Sequence, residues 1–332
     1  MHADTLTDRF GRSIDYLRVS VTDRCDLRCS YCMPRGFRGF EAPADWLTFA
    51  EVQRVVAAFA RMGTRRIRLT GGEPLLRKNL STLAQSLSQI DGITDLSLST
   101  NATQLATHAY DLRRAGVSRI NVSLDSLRGE CVRSITGSDS LKKVLHGLRM
   151  AKHAGFEQIK INMVLLEHIN EADVDEMLAY CVENQFILRL IETMPMGDSA
   201  RGSGFVSAQP ILERLIAQYQ LQEAVPHSKK HGGGGPARYW QTADGLSTVG
   251  VITPLSQHFC DSCNRVRLSV DGTLYLCLGQ EAQFELRPML RAGCTDDELE
   301  LAIRQAIEHK PEQHDFNAQP EKIVRFMSMT GG

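Results

Sequence analysis

The sequence has almost no net charge and no long apolar run, and both absences restrict what the protein can bind. Its 332 residues contain 38 Lys and Arg against 39 Asp and Glu, a formal net charge of -1. This balance provides no general attraction to nucleic acid or to an anionic membrane. Charges interrupt every apolar run before it could cross a bilayer, and residues 1–10 lack the apolar core of a secretory signal. We expect a cytoplasmic protein, with no nucleic-acid or membrane partner, that binds any anionic ligand through local arginines.

The chain contains nine cysteines, whose thiols are reactive side chains. Thiols stay reduced in the cytoplasm, so clustered cysteines there bind metal or react more often than they form disulfides. The chain length and the 42% hydrophobic content allow one large core and a smaller lobe.

Short β-branched runs alternate with amphipathic segments between Tyr16 and Met194, which is typical of repeated βα units around a parallel sheet. Six units over roughly 180 residues are too few for a complete eight-stranded barrel of about 250 residues. The pattern therefore predicts an α/β fold built on a partial (β/α)6 TIM-like barrel, with a doubly wound sheet as the alternative. The predicted strands are residues 17–22, 66–70, 95–100, 119–124, 158–165 and 188–193.

Helix starts and ends are also readable. Thr48 with Glu51, and Thr295 with Glu298, have the spacing of a capping box, in which each side chain bonds the other residue's backbone. We therefore predict one helix that begins after Thr48 and a second that begins after Thr295 and extends to about Ile307. Glycines that can adopt a left-handed conformation close three helices. They are Gly63, Gly116 and Gly155.

A glycine-rich and basic loop at residues 228–235 predicts a division of the chain. We expect a partial-barrel domain at 1–225 and a smaller carboxy-terminal α+β lobe at 226–332. Within that lobe, Asp271-Gly272 predicts a two-residue hairpin turn. This turn would place Cys277 opposite Val266.

The first cysteine cluster follows the first predicted strand as Cys25, Cys29 and Cys32. Three soft thiolates suit an iron-sulfur cluster, and the lack of a fourth local cysteine would leave one iron open to another ligand. A structural zinc site completed by a further Cys or His, or three unrelated thiols, are the alternatives. Tyr31 lies between two of the cysteines, where it could pack near the cluster or serve as ordinary loop packing.

Polar residues stand at the ends of several predicted strands, where barrel-like α/β folds bind ligands. In Thr70-Gly71-Gly72-Glu73-Pro74, the glycines allow close backbone approach and Glu73 offers an acceptor for an ammonium group. Each such residue taken alone could equally be a cap or a solvated group. The others are Ser99, Thr100, Asn101, Ser123, Asp125, Lys160, Arg189, Glu192 and Met194.

The second cluster consists of Cys260, Cys263 and Cys277. Arg265 and Arg267 lie between them on one strand face, where forked guanidinium donors would suit the phosphates of a substrate. A zinc site completed by His258, or an exposed basic strand face, are the alternatives.

The first triad with Tyr31, followed by the Gly-Gly-Glu-Pro segment, resembles the radical S-adenosylmethionine (SAM) superfamily. The whole set of motifs resembles, more narrowly, the GTP 3′,8-cyclase family of molybdenum cofactor (molybdopterin) biosynthesis, over nearly the entire chain. The further matching segments are 189–194, 235–237, Asn264-Arg265-Val266-Arg267 and the terminal Gly331-Gly332.

This resemblance implies a lyase that converts GTP to (8S)-3′,8-cyclo-7,8-dihydroguanosine 5′-triphosphate. Its cofactors would be two [4Fe-4S] clusters and SAM, whose cleavage gives a 5′-deoxyadenosyl radical that removes the ribose 3′ hydrogen before C3′ joins C8. Its partners would be GTP, an external electron donor and, functionally, the next pathway enzyme, cyclic pyranopterin monophosphate synthase, with a homodimer as a candidate assembly. A radical peptide- or RNA-modifying enzyme and a non-catalytic iron or redox sensor are the rival interpretations.

The resemblance also assigns roles to residues. Cys25, Cys29 and Cys32 would hold the catalytic cluster, Cys260, Cys263 and Cys277 the second one, and the catalytic Gly331-Gly332 tail would enter the active site. The SAM contacts would be Tyr31, Gly72, Glu73, Ser123 and Met194. The nucleotide contacts would be Arg18, Arg68, Ser99, Lys160, Arg189, Arg265 and Arg267. Relatives commonly have Thr where Ser99 stands, so its contact is the least secure of these.

Overall fold

The computed structural model describes residues 5–34, 36–202, 204–224 and 234–331, and within these ranges the strands form one hydrogen-bonded sheet. The strands are β1 (Tyr16–Ser20), β2 (Arg66–Thr70), β3 (Asp95–Thr100), β4 (Arg119–Ser123), β5 (Gln158–Leu165), β6 (Ile187–Glu192), β7 (Gln222–Glu223), β8 (Arg238–Gln241), β9 (Thr248–Ile252), β10 (Arg265–Leu268), β11 (Thr273–Tyr275) and β12 (Gln283–Glu285). The helices are α1 (Phe49–Arg61), α2 (Leu80–Ser88), α3 (Leu105–Arg114), α4 (Gly129–Thr136), α5 (Leu141–His153), α6 (Val174–Asn184), α7 (Gly197–Arg201), α8 (Ala208–Tyr219), α9 (Arg287–Arg291), α10 (Asp296–Glu308) and α11 (Met327–Thr330). Among these helices, none is both long and apolar enough to span a membrane.

The strand order confirms the predicted partial barrel. Strands β1 to β6 lie side by side in chain order and are all parallel. A doubly wound sheet would reverse its order near the first strand, and this one does not. All six predicted strands are confirmed, with ends shifted by at most two residues.

The carboxy-terminal strands extend the same sheet at both edges. Strand β10 pairs in parallel with β1, and β9 pairs in parallel with β6. Antiparallel strands then continue outward, with β11 and β12 on one edge and β8 and β7 on the other. The second cysteine triad is thereby brought next to the first strand. The proposed division at 225/226 stays a prediction, and residues 228–233 of the glycine-rich loop lie outside the described residues.

The predicted capping boxes are present. In α1, the Glu51 amide donates to Thr48 Oγ1 at 3.2 Å and the Thr48 amide donates to Glu51 Oε2 at 2.7 Å. Thr295 and Glu298 form the same box at the start of α10. These bonds satisfy amides that the first helical turn would otherwise leave without partners. They set the start of α1, whose fully buried Phe59 then packs in the core.

Strand alternation divides each barrel strand between two environments. In β1, Leu17 and Val19 belong to the aliphatic core between sheet and helices. Tyr16 and Arg18 alternate with them and line an internal cleft. The barrel therefore has an apolar exterior under the helices and a polar interior.

The predicted hairpin register was wrong by one residue. Strands β10 and β11 pair Arg267 with Tyr275. If this register is continued, Cys277 lies opposite Arg265 rather than Val266. A shift of one residue moves a side chain to the other face of a strand, so Cys277 shares its face with the two arginines of β10.

The physical reason is the length of the turn. The Ser269 amide donates to the Thr273 carbonyl at 2.9 Å, so the loop contains three residues, 270–272, instead of two. Gly272 has a φ of +88°. It is therefore the left-handed residue that a three-residue hairpin loop requires. The Asp271 carboxylate accepts the Thr273 hydroxyl at 3.0 Å and stabilises this longer turn.

Candidate functional site

A row of arginines crosses three neighbouring strands inside the barrel. Arg18 on β1 lies beside Arg68 on β2 and beside Arg267 on β10. All three side chains are buried. Burial, together with the neighbouring arginines, lowers the pKa of Arg68 to about 10 and that of Arg267 to about 9. The row is therefore a concentration of positive charge in a site with little water.

Two arginines that line the site donate hydrogen bonds to neutral oxygens. Arg68 donates to the Ser97 hydroxyl at 3.4 Å, and Arg189 on β6 donates to the side-chain oxygen of Asn121. In the described part of the chain, no ion pair includes Arg68, Arg189 or Arg267. Buried charges are costly unless they are paired. The arrangement favours an anionic ligand with several oxygens, such as a phosphate chain.

The arginines and the second cysteine triad line one cleft. It contains about 1030 Å³ of space, part of it open to solvent, which is at the upper end of the usual size of ligand sites. The fold thus brings together residues more than 250 positions apart in the chain. Those lining the cleft include Tyr16, Arg18, Arg68, Arg189, Gly235, Pro236, Cys260, Cys263, Arg265, Arg267, Cys277, Lys310 and His314.

A second cavity, of about 970 Å³ with part of it open to solvent, lies at the carboxyl ends of β2 to β6. The three cysteines of the first triad line it together with most of the residues predicted to contact SAM. Ser99 lines this cavity too, although the sequence predicted it on the nucleotide side. The lining includes Cys25, Cys29, Cys32, Tyr31, Gly72, Ser99, Ser123, Met194 and Met327.

Asn162, Ile191 and Met194 line both cavities, so the two are adjacent. A molecule in one can therefore reach a molecule in the other. Sequence analysis missed Asn162, whose side-chain oxygen is buried without a hydrogen-bond partner among the described residues. Strand alternation could have indicated it, because it lies two positions after Lys160 on β5 and so shares its face.

The first triad fits an iron-sulfur cluster better than a single metal ion. Burial is the largest cause that raises the pKa of Cys25 and of Cys32 to about 12, and it also raises the pKa of Cys29 well above its usual value. Such thiols ionise only when a metal cation compensates the charge. No three His, Cys, Asp or Glu side chains in the described ranges converge closely enough to hold one metal ion. A cubane cluster does not need that convergence, because each thiolate binds a different iron.

Glycine is required where the second strand meets the cysteine loop. The Gly72 amide donates to the Thr22 carbonyl at 2.8 Å. A Cβ atom at Gly72 would lie 2.8 Å from the Asp23 carbonyl oxygen and closer still to that of Arg24. Only a residue without a side chain permits this approach. Gly72 thus sets the position of the loop that carries Cys25.

Tyr31 is held in place by a buried carboxyl group. Its hydroxyl donates to Asp125 Oδ2 at 2.8 Å, while the Val164 amide donates to Asp125 Oδ1 at 2.9 Å. Burial raises the pKa of Asp125 to about 6. The strand end after β4 therefore fixes the aromatic ring between the second and third cysteines.

Glu73 has its oxygens engaged within the protein. It accepts bonds from the Leu75 amide at 3.0 Å, the Thr100 hydroxyl at 2.7 Å and the Asn101 amide at 2.6 Å. It is not among the described residues that line either cavity. These bonds tie the end of β2 to the end of β3, and a direct SAM contact by Glu73 stays a prediction.

Lys160 on β5 is buried and is also absent from the described residues that line either cavity. Its Nζ atom is 3.3 Å from the Tyr239 hydroxyl. Burial, followed by repulsion from Arg189 and other cations, lowers the pKa of Lys160 to about 6. The group is therefore mainly neutral near pH 7 and can become charged when an anion approaches.

The chain end reaches the arginine row. Arg267 donates to the carbonyl oxygens of Gly331 and, at 3.4 Å, Thr330. Gly331 has a φ of +74° and packs against the Thr70 side chain. Gly331 therefore lies beside the arginine row, and Gly332 lies outside the described residues. Entry of the tail into an active site stays a prediction.

The thiols of the second triad differ in their electrostatics. Burial opposes the ionisation of Cys263, but Lys310 and Arg265 outweigh it and the pKa of Cys263 is lowered. For Cys260 and Cys277, burial dominates and raises the pKa. One thiolate of this triad is favoured even before a metal binds.

Two protein families match consecutive parts of the chain. Residues 19–181 match the Radical SAM superfamily, and residues 186–316 match the Molybdenum Cofactor Synthesis C family. The chain is 44% identical to a GTP 3′,8-cyclase of Ectopseudomonas mendocina, with 100% of each chain covered. It is 42% identical to GTP 3′,8-cyclase 2 of Pseudomonas aeruginosa, again over 100% of each, and 44% identical to a GTP 3′,8-cyclase of Caulobacter vibrioides, over 99% of this chain and 94% of that one.

Among solved structures, SuiB of Streptococcus suis bound to the precursor peptide SuiA has a similar fold. The TM-score is 0.60 at 14% identity, and the match covers 90% of this chain and 65% of that one. SuiB bound to S-adenosylmethionine gives a TM-score of 0.59 at 15% identity, covering 87% and 67%. At this identity the likeness concerns the fold.

Proposed function

The chain belongs to the GTP 3′,8-cyclase family within the radical SAM superfamily, and we propose that it converts GTP to 3′,8-cyclo-7,8-dihydro-GTP in molybdenum cofactor biosynthesis. Membership of the superfamily implies one [4Fe-4S] cluster and SAM. The observation that carries the proposal is the row of buried arginines on adjacent strands, in a cleft adjacent to the first cysteine triad. That combination suits a triphosphate whose sugar faces the cofactor.

The arginine row would hold the triphosphate. Arg18, Arg68 and Arg267 offer forked donors on adjacent strands, and each phosphate group presents oxygens that can accept two of them. Arg189 and Arg265 line the same cleft and extend the positive surface. Binding would give these guanidinium groups anionic phosphate oxygens as acceptors in addition to, or in place of, neutral ones.

Cys25, Cys29 and Cys32 would hold the first cluster, which with bound SAM supplies the 5′-deoxyadenosyl radical. Around it, Tyr31, Gly72, Ser123 and Met194 line the cavity in which SAM would bind. Because Met194 lines both cavities, it would separate the two ligands without preventing contact between the ribose and the cofactor.

Cys260, Cys263 and Cys277 would hold a second [4Fe-4S] cluster with one open position facing the guanine. The support is their place in the arginine cleft and the corrected hairpin register, which points Cys277 to the same side as Arg265. Lys160 would strengthen phosphate binding, and Ser99 would contact the ligands from the cofactor side. The tail residues Gly331 and Gly332 would close the site beside the substrate.

The proposal includes an external electron donor, because reductive cleavage of SAM needs an electron. The cyclised nucleotide would then pass to cyclic pyranopterin monophosphate synthase. We further propose that the protein is cytoplasmic, because reduced thiols and oxygen-sensitive clusters require a reducing compartment. We also propose that the chain is divided into two domains near 225/226. A homodimer is the assembly expected from the family.

The test is anaerobic reconstitution with iron and sulfide, followed by incubation with reductant, SAM and GTP. We expect 5′-deoxyadenosine and a cyclised nucleotide, with 5′-deoxyadenosine formation dependent on GTP. Cys25→Ala should abolish both products, whereas Cys277→Ala should reduce cyclisation more than SAM cleavage. Cys294→Ala is the matched control, because Cys294 is half-buried and outside both cavities.

Two results would count against the proposal. SAM cleavage that a peptide substrate stimulates and GTP does not would favour the peptide-modifying alternative. Equal loss of both products in Cys277→Ala would indicate that the second triad only stabilises the fold.

A further inference from the structure

We propose that Lys310 is a positioning residue for the second triad. Its side chain joins the chain segments of Cys263 and Cys277 and places a positive charge beside the cluster that these cysteines would hold. The inference rests on the proposed second cluster. Lys310 follows α10 and is only 1% exposed. A lysine is rarely buried to this extent unless its ammonium group is bonded to acceptors.

The ammonium group connects two strand segments. Lys310 Nζ donates to the Leu276 carbonyl at 2.6 Å and to the Arg265 carbonyl at 3.2 Å. Leu276 immediately precedes Cys277, and Arg265 is two residues after Cys263. One side chain thus sets the spacing between two of the three thiols.

Lys310 lines the same cleft as the three cysteines of the second triad. Its positive charge therefore acts on Cys263 and also on Cys260 and Cys277. Within the described ranges, Lys310 takes part in no ion pair with a carboxylate. Cluster-bound thiolates of the second triad would lie beside this buried cation.

A fixed positive charge beside a cluster has a redox consequence. One-electron reduction makes the cluster more negative, so a nearby cation stabilises the reduced state and raises the reduction potential. Arg265 contributes to the same field from the substrate side. Lys310 differs from it because its hydrogen bonds go to two backbone carbonyl groups of the segments that carry Cys263 and Cys277.

The test isolates the second cluster. A variant with Cys25→Ala, Cys29→Ala and Cys32→Ala retains only the second triad and serves as the background. Lys310→Met, Lys310→Arg and, as a surface control, Lys142→Met on the exposed side of α5 are added to it separately. Each protein is reconstituted anaerobically with iron and sulfide. Iron per chain is measured, and the reduced fraction is followed by electron paramagnetic resonance during titration with dithionite.

We expect Lys310→Met to lower the ratio of reduced to oxidised cluster at a fixed potential by about tenfold or more, which is about 59 mV for one electron. Lys310→Arg and Lys142→Met should stay close to the background. Loss of iron in Lys310→Met with retention in Lys310→Arg, in chains with equal thermal unfolding, would also support the role.

Two different failures can be distinguished. If the background protein binds no cluster, the second cluster of the proposed function fails and this inference fails with it. If the background binds one and Lys310→Met leaves both its iron content and its potential unchanged, the inference alone is overturned.

Discussion

Lys160 is expected to take up a proton when nucleotide binds. Its pKa of about 6 in the free protein results first from burial and then from repulsion by neighbouring cations. An anionic triphosphate reverses the second effect. At an effective dielectric constant of about 20, one negative charge about 6 Å away raises the pKa by roughly 2 units, to about 8.

The size of the uptake follows from these values. At about pH 7.5, Lys160 would be roughly 3% protonated in the free protein and roughly 75% protonated in the complex, an uptake of about 0.7 proton. Because the complex binds more protons, affinity must rise as pH falls from about 8 to about 6, by up to about tenfold per pH unit. Below about pH 6, Lys160 is charged in both states and its contribution becomes constant.

The assay is anaerobic isothermal titration calorimetry of GTP without reductant, in buffers with different ionisation enthalpies. Lys160→Arg keeps the charge but does not titrate, so its proton uptake should fall to that of the nucleotide phosphate alone. Lys160→Met should lose the same uptake and also bind more weakly. If the wild-type chain and Lys160→Arg show the same uptake, Lys160 does not change its protonation state on binding and the reasoning is refuted.

Three further predictions concern the cofactor cavity and the fold. Gly72→Ala should displace the cysteine loop and abolish SAM binding in equilibrium dialysis, whereas Gly129→Ala, where an added Cβ meets nothing within 4 Å, should bind normally. Asp125→Asn should weaken the bond that fixes Tyr31 and reduce SAM affinity about 3- to 12-fold, and unchanged affinity would show that the bond has no part in binding. Thr48→Ala should lower the free energy of unfolding by about 1 kcal/mol in urea denaturation, and a change below about 0.3 kcal/mol would contradict the capping role.

Much of the fold could be predicted because its signals are local. Capping boxes span three residues, and βα units repeat with recognisable periods, so strands β1 to β6 and the starts of α1 and α10 were predicted correctly. The hairpin register was not, because Asp271-Gly272 is compatible with turns of two or three residues. The choice depended on side-chain bonds within the turn, such as that between Asp271 and Thr273.

The candidate site was likewise predictable only in part. Residue type and spacing alone determined the two cysteine triads and the arginines beside the second, since the chemistry of thiolates and guanidiniums does not depend on the fold. Tertiary structure decided that β10 lies beside β1, which completes the arginine row. It also decided that Glu73 bonds to β3 and that Lys310 bonds the two segments that carry Cys263 and Cys277. Those facts depend on which distant segments of the chain become neighbours, and only the assembled sheet establishes that.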